Sequence, residues 1–265
     1  MEQILAPALI VLFFSGFFVV FGIGGASVFV PIFATLGIGI KEAIIAGLFI
    51  NIVSTGVATI IFAKGGLFKF RDLKDALSIL LGMLFAIPAG VFISNMLSSQ
   101  ILVGLFSLSL FACSFFMLKE GEKAKDAQGG ASKVQNINAG KFSSTLVLAL
   151  VGIIAGLANG ILGIGGGVFI VPALIMNGMF ARRAAIISVA CTFFGSIFSL
   201  SNHLAYGKAN FPLLGAVGAA ALIGALAGSH LFSSGKVSSP MITRAFPFLL
   251  ILLAIKLALD FFAGV

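Results

Sequence analysis

Gly22-Ile23-Gly24-Gly25-Ala26-Ser27-Val28-Phe29-Val30-Pro31 occurs twice in this chain, the second time as Gly163-Ile164-Gly165-Gly166-Gly167-Val168-Phe169-Ile170-Val171-Pro172. Adding 141 to a position in the first copy gives its mate, and the register runs without a gap from Gly22/Gly163 through Gly37/Gly178, Ala43/Ala184 and Gly66/Gly207 to Phe70/Phe211. Both copies are apolar, dense in glycine and closed by proline. A helix in lipid satisfies its own backbone, and each interior glycine weakens it by about 1 kcal/mol relative to alanine. Any one glycine is equally explained by close helix packing, since small residues let backbones approach. Two matched runs together point to paired broken segments around one central site, the architecture of a transporter.

Composition sets the class. The 265 residues are 60% hydrophobic and 9% charged, with mean hydropathy +1.22, whereas soluble domains carry about 25% charged residues. Apolar runs of about 20 residues recur, each enough to cross a hydrocarbon core of about 30 Å. Segments of alternating polarity, the mark of a β-barrel, are absent. The formal charge of +8 sits mostly in short loops between apolar runs, where basic residues orient a membrane protein, so nucleic acid is not an expected partner. Cys113 and Cys191 lie inside apolar runs without the spacing of a disulfide or metal site. No lysine or arginine precedes the first run, unlike the positive start of a signal peptide, and that run reads as a retained helix.

The apolar segments are 4–21, 22–39, 42–63, 76–97, 101–118, 143–162, 163–180, 184–205, 211–232 and 246–263. A polar, mixed-charge linker, 119–141, separates a first repeat, 1–118, from a second, 142–265. If 22–39 and 163–180 cross the bilayer, each repeat has an odd number of crossings and the second is inverted. Thirteen basic residues then share one face, against three on the other (Lys41, Lys208 and Lys256). If those segments dip in and return, the split is 11 to 5. Cytoplasmic loops collect lysine and arginine, which favours the first arrangement. The predicted fold is therefore an all-α polytopic membrane protein of about ten segments in two inverted five-segment repeats. Its linker is cytoplasmic and both termini lie outside. Eight full crossings with two re-entrant segments are the alternative.

The candidate substrate-binding residues are Gly24, Gly25, Ala26 and Ser27 in the first copy and Gly165, Gly166 and Gly167 in the second. An unwound stretch frees N–H groups, and the half-helix after it points its positive end at the same spot, which suits an oxyanion. Asn51 and Thr192, mates in the following segments, add neutral donors. Interhelical hydrogen bonding explains either one singly. Ser54 aligns with Gly195, and Thr55 with Ser196. His203, Tyr206 and His230 near segment ends, and the Lys256/Asp260 pair, read as interfacial residues. No acidic residue lies mid-span as a carrier of protons or sodium, and Glu42, Asp72 and Asp75 flank segment ends. No cofactor or metal is expected, and neither run reads G-x-G-x-x-G.

At these residues the chain resembles the TauE/SafE family of sulfite-exporter-like membrane permeases. The duplicated G-I-G-G-(A/G)…V-P elements carry the resemblance. The Lys41/Ala43 and Arg182/Ala184 steps and the closing Gly66 and Gly207 support it. The first copy departs from the fuller pattern with Ala26-Ser27 where the second has Gly167-Val168. The resemblance implies export of small sulfur-containing anions such as sulfite, sulfoacetate or thiosulfate across the bacterial inner membrane. A channel for the same anions is the alternative. An intramembrane enzyme or accessory protein is the third reading, for which His203 and His230 lack catalytic partners in sequence. None of these motifs selects an oligomeric state.

Overall fold

A computed structural model describes residues 2–20, 22, 24–68, 70–128, 145–176, 179, 181–207, 209–234, 251–252, 254–259 and 261–262. Among them the regular structure is all helical: α1 Glu2–Val20, α2 Ala26–Thr35, α3 Ile40–Lys64, α4 Phe70–Met96, α5 Ser99–Gln128, α6 Thr145–Leu162, α7 Gly167–Met176, α8 Ala181–Leu204 and α9 Phe211–Ser233. Further helical backbone lies within 251–262. Five helices are long and apolar enough to cross a membrane, namely α3, α6, α9, residues Lys74–Met96 of α4 and residues Arg182–Leu204 of α8. The expected segments 22–39 and 163–180 each resolve into a glycine turn and a ten-residue helix. At 1.5 Å per residue such a helix is about 15 Å long, half of a hydrocarbon core. Two boundaries differ clearly, the start of α4 at Phe70 against the expected 76 and the end of α5. α5 continues past residue 118 to Gln128, so the start of the expected linker is helical, and 129–144 lie outside the described residues.

Two helix pairs dominate the packing, α4 with α6 and α1 with α9. They are mates under the repeat offset. On α6, Gly152, Gly156 and Gly160 rest on the backbone of Ile79, Met83 and Ile87 of α4. Gly82 and Gly90 of α4 rest in turn on Ala149 and Leu157 of α6, and the α1–α9 pair is built the same way. Gly224 and Gly228 of α9 meet Leu12, Ser15 and Gly16 of α1, and Ser15 Oγ donates to the Ala221 carbonyl at 3.4 Å. Lipid is as apolar as leucine, so membrane helices associate through this close backbone approach and not by expelling water.

The matched positions set helix direction. α6 runs beside α4 in the same sense, from Gly152 on Ile79 to Gly160 on Ile87. α8 also runs with α4, with Cys191 Sγ on the Ala76 carbonyl at 3.5 Å and Gly195 against Met83. α3 opposes α8. Gly207, beyond the end of α8, lies against Ile45 near the start of α3, and Phe62 near the end of α3 shares a cluster with Ile186. α6 stops beside Ile87–Gly90, short of the end of α4. The chain then turns back, with Gly166 beside Ala155 and Met83 and Leu174 clustered with Leu148 and Ala76. α6 and α7 thus form a hairpin whose tip is the second glycine run.

This packing predicts the cost of bulk. A Cβ at Gly156 would lie 2.6 Å from the Met83 carbonyl oxygen, while one at Gly215 meets nothing within 4 Å. Gly156→Leu should lower stability by about 3 kcal/mol or more, whereas Gly215→Ala should be neutral or stabilising by up to about 1 kcal/mol. Thermal unfolding in detergent measures both, and equal melting temperatures would refute the interface.

Candidate functional site

The two glycine runs share one backbone conformation. Gly24, Gly25, Gly165 and Gly166 have φ of +80°, +90°, +80° and +80°, a left-handed region that side chains with a Cβ rarely occupy. Helix begins at the next residue, Ala26 in one copy and Gly167 in the other. The Gly25 carbonyl accepts from the N–H groups of Val28 and Phe29, as the Gly166 carbonyl does from those of Phe169 and Ile170, at 3.0–3.1 Å.

A break among buried residues leaves backbone groups without helical partners, and side chains take them. Asn51 Oδ1 accepts from the Ala26 N–H at 3.0 Å, and Asn159 Oδ1 accepts from the Gly165 N–H at 2.7 Å. Asn159 Nδ2 donates to the Gly195 carbonyl at 3.2 Å. Ser54 Oγ reaches the Gly24 carbonyl at 3.3 Å, and Ser188 Oγ donates to the Gly22 carbonyl at 2.7 Å. Two of the amides expected to be free for an anion, those of Ala26 and Gly165, are therefore occupied. Sequence reasoning missed Asn159 and Ser188, because it sought polar residues matched in both copies and their mates are Phe18 and Gly47. The usable signal was simply an asparagine and a serine inside apolar spans.

The expected residues divide in two. Gly24, Gly165, Asn51 and Thr192 converge. A Cβ at Gly24 would lie 2.7 Å from Asn51 Oδ1 and 3.1 Å from Thr192 Cγ2. One at Gly165 would strike Asn51 Nδ2 and lie 2.7 Å from Thr192 Cγ2. Gly25 and Gly166 do not face that centre: a Cβ on Gly25 would meet the rings of Phe18 and Phe29, and one on Gly166 would meet Met83 and Ala155. They shape the turn, and Ala26 and Gly167 open the half-helices. Tyr206, His230 and Lys256 are exposed, while Asp260 lies outside the described residues.

The centre is donor-rich. Asn51 commits its carbonyl to Ala26, which leaves its Nδ2 buried and without a partner, as is Thr192 Oγ1; Ser27 Oγ and Ser196 Oγ, on α2 and α8, are likewise buried and unpartnered. An amide nitrogen only donates, and a hydroxyl can donate. Each unsatisfied buried group costs about 1–3 kcal/mol, which a ligand bringing acceptor oxygens would relieve.

Two glycine substitutions separate strain from collision. Gly37 has φ +85° but open space around its Cβ position, so Gly37→Ala should cost about 1–2 kcal/mol for the left-handed backbone alone. Gly165→Ala should cost more and displace Asn51, and Gly166→Val should abolish transport even where the protein inserts. Thermal unfolding and transport in vesicles test this, and wild-type behaviour of Gly165→Ala would remove the centre from its assigned place.

Comparison with known proteins identifies the chain as a membrane transporter. The family model described as sulfite exporter TauE/SafE matches residues 8–257. The chain is also similar to the probable membrane transporter protein MJ0441 of Methanocaldococcus jannaschii, at 30% identity over 215 residues, covering 76% of this chain and 73% of that protein. No solved structure matches it. A membrane transporter with several helices able to cross a bilayer and two glycine-broken segments, the chain belongs to the sulfite exporter TauE/SafE family.

Proposed function

We propose that the protein is a secondary carrier of small sulfur-containing anions such as sulfite, sulfoacetate or thiosulfate, moving them outward across a bacterial inner membrane. The observation that carries this reading is the meeting of Gly24, Asn51, Gly165 and Thr192, two residues from each repeat, around unpartnered buried donors. Asn51 and Thr192 lie near the middles of α3 and α8, which puts the site near mid-depth. Neutral donors and two half-helix ends, each worth about half a charge, hold an anion without a buried counter-ion and so release it readily. The sequence contains no ATP-binding motif, so transport draws on gradients. The small anion and the lipid bilayer are its partners, with no role for nucleic acid, a metal or a cofactor.

In this reading repeats 1–118 and 142–265 are inverted and joined by a cytoplasmic linker, 119–141. Helix ends support it. Lys41 Nζ donates to Asn95 Oδ1 at 3.5 Å and Gln100 Nε2 to the Phe261 carbonyl at 3.0 Å. These contacts gather the start of α3, the end of α4, the start of α5 and the chain's last helical stretch at one end of the bundle. With α1–α2 and α6–α7 as re-entrant hairpins, each repeat has three full crossings. That number is odd, like five, so the second repeat is inverted and the 13 to 3 division of basic residues is kept.

Two measurements decide the reading. Asn51→Ala and Thr192→Ala should each weaken affinity about tenfold, the worth of one hydrogen bond to a charged group, and the double variant more. Counterflow of labelled sulfite, thiosulfate and sulfoacetate in proteoliposomes reads this, and wild-type affinity in the double variant would move the site. Flux that failed to saturate would favour a channel. For topology, a membrane-impermeant thiol reagent on intact cells should modify Ser99→Cys and spare Ser132→Cys, and the reverse pattern would overturn the inverted arrangement.

A further inference from the structure

Away from the central residues, α8 and its mate α3 carry different side chains at matched positions. On α8, Thr192, Ser196, Ser199 and His203 follow at i, i+4, i+7 and i+11, one helix face. All are buried, with His203 the most exposed at 7%. Thr192 Oγ1 and Ser196 Oγ have no partner. Ser199 Oγ donates to the Asn159 carbonyl at 3.3 Å, and His203 Nε2 lies 2.9 Å from the Gly160 carbonyl. A carbonyl can only accept, so His203 Nε2 carries the proton and donates. The mates of the stripe on α3 are Asn51, Thr55, Ala58 and Phe62, and those of Asn159 and Gly160 are Phe18 and Val19. The mates of Ser199 and His203 are thus apolar, and the next hydroxyl on α3, that of Thr59, is turned back onto the Thr55 carbonyl at 2.7 Å. Val19, Ala58 and Phe62 join Ile186, Val189 and Phe232 in an apolar cluster, with the rings of Phe62 and Phe232 at 4.9 Å.

We infer that the anion travels between the central site and the Lys41 end of the bundle along the α8 stripe, with Ser199 and His203 as substrate-contacting residues beneath the last turn of α6. This rests on the central-site reading and adds a lane and its direction. The donors that now hold the Asn159 and Gly160 carbonyls are those an oxyanion would engage once that turn lifts, one oxygen acceptor replacing another. Lys41, at the same end, contributes attraction for anions. At the opposite end the positions mated to Ser199 and His203 are Ala58 and Phe62, and the way is filled by the Phe62 and Phe232 rings, with the Arg182 guanidinium 5.3 Å from the Phe232 ring.

The repeat offset supplies a matched pair for the test. Ser199→Cys and Ala58→Cys are made in a background where Cys113 and Cys191 are alanine. Purified protein in detergent, with both faces open, is treated with an anionic and with a neutral methanethiosulfonate. The S199C thiol should react with the anionic reagent about tenfold faster than the A58C thiol, a difference of access and local field. Equal rates, or a faster A58C, overturn the lane. In proteoliposomes, His203→Phe, which copies Phe62, should lower sulfite counterflow about tenfold, the loss of one donor to a charged group. His203→Gln keeps an amide donor and should retain most of it, with sulfite-dependent thermal stabilisation unchanged in both. Equal loss in both variants would make His203 a structural fastening and overturn its contact with substrate. Absence of sulfite-dependent stabilisation in the wild type would count against the central site instead, while the labelling comparison still decides the lane.

Discussion

A polypeptide that interrupts its helices inside an apolar bundle must hydrogen-bond the exposed backbone from within the protein. Two asparagines meet that requirement here. Asn51 takes the N–H that opens α2, and Asn159 takes the N–H of Gly165 in the other hairpin. Asn51 reaches further, because its amide also abuts Gly165 of the second repeat. One side chain therefore supports a break in its own repeat and borders the break in the other. Interlocking of this kind is general in the molecule. Gly22 packs on Ala185, Gly163 packs on Ile44, and those two contacts are mates under the same offset.

Fastening the breaks leaves a particular chemistry behind. Once the asparagine carbonyl is engaged, what remains at the centre is the donor end of its amide, together with hydroxyls that have no protein partner. The three atoms nearest a Cβ at Gly24 or at Gly165 all belong to Asn51 and Thr192. A full charge at this depth is expensive, whereas dipoles and neutral donors are tolerable and hold an anion less tightly. The proposed carrier activity depends on that weakness, since a site that turns over must release what it binds.

The duplication is closer in backbone than in side chains. Both glycine runs keep the same left-handed positions and the same carbonyl capping. Their supports have diverged: Asn159 faces Phe18 across the offset, Ser188 faces Gly47, and His203 faces Phe62. Backbone geometry at a break is constrained wherever the break occurs, because few residues tolerate it. The side chains around each break are free to differ.

From the sequence alone one could read the membrane class, the all-helical fold, the duplicated breaks and the pair Asn51 and Thr192. These depend on composition, periodicity and the intolerance of lipid for unpaired backbone, all of which are local. The tertiary structure decided the rest. It turned Gly24 and Gly165 toward the centre while Gly25 and Gly166 face rings and Met83. It filled the amides of Ala26 and Gly165 and brought in Asn159 and Ser188. It also carried α5 on to Gln128. Which way a glycine faces, and which end of an amide stays unpaired, depends on how helices distant in sequence rotate and pack against each other. No periodicity within a single segment encodes that.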